Sequence, residues 1–146
     1  MEIRTGLIQD IELLIDIDND ASIVFEKAGL RLDAARDLEV TLAARGRWMK
    51  CLSAGTVFIA VDQSGEAKGF AAVGVRDAAP YLDQLSVRTC CMRQGIGTEL
   101  LRALLLVAMA EPLDTVVVWP SDDSIPLYRR LGFTRPQELL EYRMSN

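Results

Sequence analysis

Near residue 95 the hydrophobic period of this chain changes from two to 3.6, and the change is made across a pair of glycines. Tyr81 to Val87 alternates as a strand does, and Leu100, Leu101, Leu104, Leu105 and Ala108 line one stripe of a helix ending near Ala110. Gly95-Ile96-Gly97 stands between them. A strand that feeds a long apolar helix can bury both only by laying the helix over a sheet, so the chain is confined to α/β architectures. Leu106 and Val107 fall off the stripe, which calls for cover on a second side of that helix or for a homodimer contact.

The flanking segments fill in the layers. Glu2 to Ile8 reads as an opening strand, and Asp10 can cap a helix with Ile11, Leu14 and Ile15 on one face. A second helix is predicted over residues 22–28 with Gly29 as its stop. A third is predicted from Asp33, with Leu38 and Leu42 inward and Gly46 at its end. Residues 56–61 and 69–75 are strands joined by the polar loop 62–68. Thr115 to Trp119, rich in valine, is a strand buried on both faces. Ile125 to Leu131 is a short helix stopped by Gly132, and residues 133–134 and 139–143 close the chain as strands. The sum is one α/β domain, residues 1–146, with a mixed, mostly antiparallel central sheet flanked by helices.

Composition excludes several chemistries. The chain has no histidine, so a Ser-His-Asp triad, a Cys-His dyad and a His-ligated metal site are ruled out. Three cysteines, Cys51, Cys90 and Cys91, make neither a disulfide framework nor a zinc pattern, and no metal is expected. A formal charge of −5 argues against nucleic-acid binding, which needs a basic face. No stretch reaches the ~20 apolar residues of a membrane span, and Met1-Glu2-Ile3-Arg4 lacks the layout of a signal peptide, so the expected address is the cytoplasm.

What remains is the glycine turn. The first N–H groups of a helix lack internal partners and carry the positive end of its dipole, and glycine lets a ligand approach the backbone. Gly95-Ile96-Gly97 is therefore suited to phosphate oxygens, though it equally makes a tight strand-to-helix turn. Neither the Walker pattern nor a complete GxGxxG is present, since residue 100 is Leu.

Tyr81-Leu82-Asp83-Gln84-Leu85-Ser86-Val87 followed by Arg93-Gln94-Gly95-Ile96-Gly97-Thr98-Glu99-Leu100-Leu101 resembles the acetyl-CoA-binding motif of the GNAT superfamily. Ser124 to Phe133, with Tyr128 four residues before Gly132-Phe133, is similar to that family's second motif. The resemblance implies an acyl-CoA-dependent N-acetyltransferase, with acetyl-CoA as co-substrate and a small-molecule or peptide amine as acceptor. It implies that the backbone of Leu85, Ser86 and Val87 pairs with the pantetheine arm, that Met92, Arg93, Gln94, Gly95, Ile96, Gly97 and Thr98 hold the pyrophosphate, and that Ser124 lies beside them. Tyr128 would protonate the departing thiolate, a task suited to a phenol that stays protonated at neutral pH.

Three positions depart from the family pattern. Met92 stands where a basic residue or Gln is usual, Ser121 or Ser124 where many relatives place Asn, and Gln84 where relatives often carry Glu. Gln84 cannot accept a proton. Asp83 is the nearest carboxylate, though strand alternation puts it on the opposite face from Gln84; a water relay or an amine arriving neutral would serve instead. The acceptor is expected against residues 22–48, where Glu26, Asp33, Asp37 and Glu39 mix with Lys27, Arg31, Arg36 and Arg45. A catalytically degenerate CoA-binding or interaction module on the same fold is the alternative.

Overall fold

The computed structural model describes residues 1–27, 34–76, 79–110, 117–118 and 125–134. Five strands, β1 (Glu2–Thr5), β2 (Val57–Val61), β3 (Ala67–Arg76), β4 (Ala79–Val87) and β5 (Val117–Val118), form one sheet in the order β1-β2-β3-β4-β5. The first four pair antiparallel and β5 joins β4 in parallel, as a helical crossover between them requires. Four helices cover the sheet: α1 (Ile11–Lys27), α2 (Ala34–Ala54), α3 (Ile96–Ala110) and α4 (Ile125–Arg130). The mixed, mostly antiparallel sheet flanked by helices is the architecture the sequence implies.

Alternation along β2 divides the core into two layers. Val57, Ile59 and Val61 join Leu14, Ile17, Trp48 and Phe70 beneath α1 and α2, while Phe58 and Ala60 join Leu100, Leu101, Leu104 and Tyr128 beneath α3 and α4. Both faces of β2 are covered, so every one of its residues is buried. Each fully buried side chain such as Leu14 or Leu100 contributes about 1.5–3 kcal/mol.

Several boundaries differ from the sequence reading. The opening strand ends at Thr5, because Asp10 draws the chain into a 3-10 turn: its carboxylate accepts from Leu7 N–H (2.8 Å) and from both terminal nitrogens of Arg4 (2.8 and 3.0 Å). The two predicted helices between residues 10 and 28 are one, α1. Gly46 does not end α2, which continues to Ala54 because Trp48, Cys51 and Leu52 beyond it belong to the core; their burial outweighs the ~1 kcal/mol a helical glycine costs. Leu42 is exposed rather than inward. Phe133-Thr134 follows α4 without forming a strand, and the closing strand at 139–143 lies outside the described residues. Leu106 is exposed on α3, opposite the buried stripe. Among the described residues no helix is long and apolar enough to cross a membrane.

Candidate active site

The sequence features meet at the end of β4. Opposite β3 the register runs Ala72 to Gln84 and then Val73 to Leu82, so Asp83 is the extra residue of a β-bulge. The bulge overturns the expectation that Asp83 and Gln84 point to opposite faces. Leu82 and Leu85 enter the layer beneath α3, and both Asp83 and Gln84 face α1 and α2. Asp83 is held there by Nε of Arg47 (3.0 and 3.3 Å) and Nε1 of Trp48 (2.9 Å), both on α2. Both of its carboxylate oxygens are engaged, which makes it a strut between β4 and α2.

On its other edge β4 pairs with β5 at Tyr81 and Leu82. From Asp83 to Val87 no strand pairs with that edge among the described residues. The side chains of Leu85 and Val87 pack in the α3 layer, and Ser86 is buried on the other face.

Beyond β4 a 3-10 turn, Thr89–Cys91, leads to the glycine turn. Arg93 has φ of 62° and Gly95 of 82°; a left-handed arginine is an unfavourable conformation, of the kind that gathers at ligand sites. The Gly95 carbonyl accepts the first α3 bond, from Glu99 N–H (3.0 Å), so Gly95 is the N-cap and the amides of Ile96, Gly97 and Thr98 form the open first turn. A Cβ at Gly97 would meet only Leu127 and Leu85, each at 3.8 Å, an ordinary contact. The packing of the chain itself does not need glycine there. Met92, Arg93 and Gln94 are exposed, with the Gln94 amide donating to the Cys90 carbonyl (3.3 Å), and Ile96 is buried. Ser124, Ser121 and Trp119 lie outside the described residues.

Tyr128 sits on α4 under α3. The Tyr-x-x-x-Gly-Phe pattern has a local physical cause: Phe133 N–H bonds the Tyr128 carbonyl (3.0 Å), Gly132 N–H bonds the Arg129 carbonyl (3.1 Å), and Gly132 takes φ of 96°. This is a Schellman stop, completed by the edge-on contact of the Tyr128 and Phe133 rings at 5.4 Å. Burial raises the Tyr128 pKa above that of a free phenol, which keeps it protonated at neutral pH. Tyr128 is buried as a whole, and its hydroxyl makes no hydrogen bond among the described residues.

One residue the sequence reading passed over is Asp18. It lies one helical turn past Leu14 on the inward face of α1, a spacing that marks an inward carboxylate. Its Oδ1 accepts from Gln84 Nε2 and Ser86 Oγ, both at 3.1 Å, and Gln84 Nε2 also donates to Ser86 Oγ (2.8 Å). Burial raises its pKa, opposed by the Ser86 bond and by the charge of Arg47. On either side of it, Asp16 pairs with Arg88 (2.9 Å) and Asp20 accepts from Thr89 N–H (2.7 Å), which fastens α1 to the end of β4.

The likeness to known proteins covers the same parts. The model of the acetyltransferase (GNAT) domain matches residues 53–135, more than half the chain. No curated protein matches by sequence. A GCN5-related N-acetyltransferase from Ralstonia eutropha JMP134 shares the fold with a TM-score of 0.70 at 21% identity, covering 97% of each chain. A predicted acetyltransferase from Clostridium acetobutylicum, solved with acetyl-CoA, has a TM-score of 0.71 at 20% identity, over 97% of this chain and 95% of that one. An acetyltransferase candidate from Pyrococcus horikoshii matches 91% of this chain with a TM-score of 0.70 at 20% identity, and this chain spans only 43% of its length. With a family model spanning the bulged strand, the glycine turn and the Tyr128 helix, the chain belongs to the GNAT acetyltransferase family.

Proposed function

We propose that this protein is an N-acetyltransferase that moves an acetyl group from acetyl-CoA to a primary amine by direct attack within a ternary complex. The observation that carries the reading is the outer edge of β4, with which no strand pairs beyond the bulge at Asp83 among the described residues and which runs into the glycine-capped start of α3. An extended pantetheine arm can add to that edge through Leu85 and Val87, and its pyrophosphate then meets the amides of residues 92–98 and the positive end of the α3 dipole. Bringing both reactants onto one strand edge supplies much of the rate acceleration. A β4 N–H polarises the thioester carbonyl, and Tyr128, kept protonated by burial, delivers a proton to the leaving sulfur. Asp83, tied to Arg47 and Trp48, fixes the bulge. The acceptor, a small amine or a peptide N-terminus, approaches from the α1–α2 side. The reading treats residues 1–146 as one domain working in the cytoplasm, where free thiols such as those of Cys90 and Cys91 persist.

A second reading, a CoA-binding module without turnover, draws support from the Tyr128–Phe133 packing, which accounts for the tyrosine without chemistry. Calorimetric titration with acetyl-CoA, followed by an amine panel scored for released thiol, separates them. Binding with amine-dependent thiol release supports the transferase. Binding without release from any amine supports the module, and absence of binding removes both.

A further inference from the structure

An acetyl transfer to an amine needs a proton acceptor, because an ammonium group has no lone pair to attack with. Asp83 has both oxygens engaged by Arg47 and Trp48, and Gln84 has no acidic proton equilibrium to offer. The α1–α2 face of β4 nevertheless holds a carboxylate, brought from α1 instead of the strand. We infer that Asp18 is the general base of this site, receiving the acceptor as its ammonium form and taking its proton, with Gln84 and Ser86 as the positioning residues that hold its Oδ1. The inference rests on the acetyl-transfer reading above and adds to it the class of acceptor, a cationic primary amine.

Three features of geometry support it. Both hydrogen bonds to the Asp18 carboxylate fall on Oδ1 at 3.1 Å, and Oδ2 takes none among the described residues. Asp18 itself is half-buried rather than fully enclosed. The two donors sit at residues 84 and 86, alternate positions that flank Leu85 on β4, so the carboxylate is addressed to the same stretch of strand as the proposed thioester. The charges around it are already committed. From α2, Arg47 faces it but is bonded to Asp83; on α1, Asp16 pairs with Arg88 and Asp20 caps Thr89; Gln84 and Ser86 from β4 are neutral. Burial raises the Asp18 pKa, which makes it a stronger base than an exposed carboxylate.

The step balances. Asp18 takes one proton from the ammonium; the freed nitrogen pair forms the C–N bond as the C–S bond breaks, its electrons going to sulfur. Tyr128 protonates the thiolate and is reprotonated by the second nitrogen proton, and Asp18 returns its proton to water.

The test is the pH dependence of kcat/KM for two amines of well-separated pKa, in the parent and in Asp18→Asn and Ser86→Ala, with acetyl-CoA affinity measured by calorimetry for each. The expected result is one acid limb common to both amines. Asp18→Asn should lose that limb and about 10²–10⁴-fold in turnover efficiency while binding acetyl-CoA within twofold of the parent. Ser86→Ala, which removes a bond favouring the carboxylate, should move the limb to higher pH. A limb that follows the amine overturns the inference. So does an Asp18→Asn variant with parental turnover, or one that loses acetyl-CoA binding. A parent that binds acetyl-CoA but releases thiol with no amine fails at the proposed function itself, and the inference falls with it.

Discussion

Gly97 gives the sharpest test of the glycine turn, because the fold and the ligand make opposite demands on it. It is the second residue of α3, and a methyl group added there would meet only the tips of Leu127 and Leu85 at 3.8 Å. Gly97→Ala therefore introduces no clash within the protein. It removes backbone freedom from the unfolded chain, worth about 0.4–1 kcal/mol in favour of folding. For a chain of this size that is a rise in Tm of about 1–4 °C. A bound pyrophosphate changes the sign. If the pyrophosphate lies close against this turn the methyl would crowd it, and overfilling of a close-packed contact costs about 1–3 kcal/mol. Acetyl-CoA affinity should fall by about 5–150-fold. Differential scanning of the free protein reads the first number and calorimetric titration the second. Parental affinity in Gly97→Ala would show that the pyrophosphate does not lie on this turn. A fall in Tm would show that the fold itself requires the glycine, and the argument from its packing would be refuted.

Tyr128→Phe keeps the ring contact with Phe133, so melting and acetyl-CoA affinity should stay near parental while turnover drops about 10²–10⁴-fold where chemistry limits the rate; unchanged turnover would assign the tyrosine to packing alone. Gly69→Ala in β3 places a Cβ 2.8 Å from the Ser86 carbonyl, so it should cost about 1–3 kcal/mol by chemical denaturation and weaken acetyl-CoA binding by displacing the end of β4. Arg4 holds the Asp10 pKa below the usual carboxylate value, so Asp10 stabilises the fold above about pH 4 and that contribution is lost as the pH falls through its lowered value. Asp10→Asn should cost about 0.5–1 kcal/mol at neutral pH and flatten the acid side of the Tm profile; an unaltered profile would discount the pair.

What the sequence disclosed and what it hid divide along a physical line. The strand, the glycine turn and the α3 stripe were legible because each is set by local period and by φ. Gly132, read as a helix stop, adopts the left-handed conformation such a stop uses. Gly46 misled because α2 is held by Trp48, Cys51 and Leu52 against the sheet, and a packed face outlasts one poor helix former. The bulge at Asp83 was not legible at all. A bulge is a relation between two strands, and nothing in Leu82-Asp83-Gln84 announces that β3 spends one residue fewer. Missing it reversed the face assigned to Asp83 and hid the cluster it shares with α2. Asp18 was within reach of the sequence, four residues after the fully buried Leu14, but its partners Gln84 and Ser86 are 66 and 68 positions away.

Asp10 and Asp18 show how differently one chain can hold two carboxylates. Asp10 meets a cation and a backbone amide, its pKa falls, and ionisation favours the folded state. Asp18 meets two neutral donors in a half-buried place, its pKa rises, and the sign reverses: it favours folding below the unfolded carboxylate pKa, and that advantage is lost as the pH climbs through the raised value. Above that raised value the ionised Asp18 weighs against the fold. Asp18→Asn removes the charge while its carbonyl oxygen can still accept from Ser86 and Gln84, so the variant should melt no lower than the parent at pH 7 and lose any advantage at low pH. The melting curve then reads the burial of the charge, and the acid limb of kcat/KM reads its use as a base.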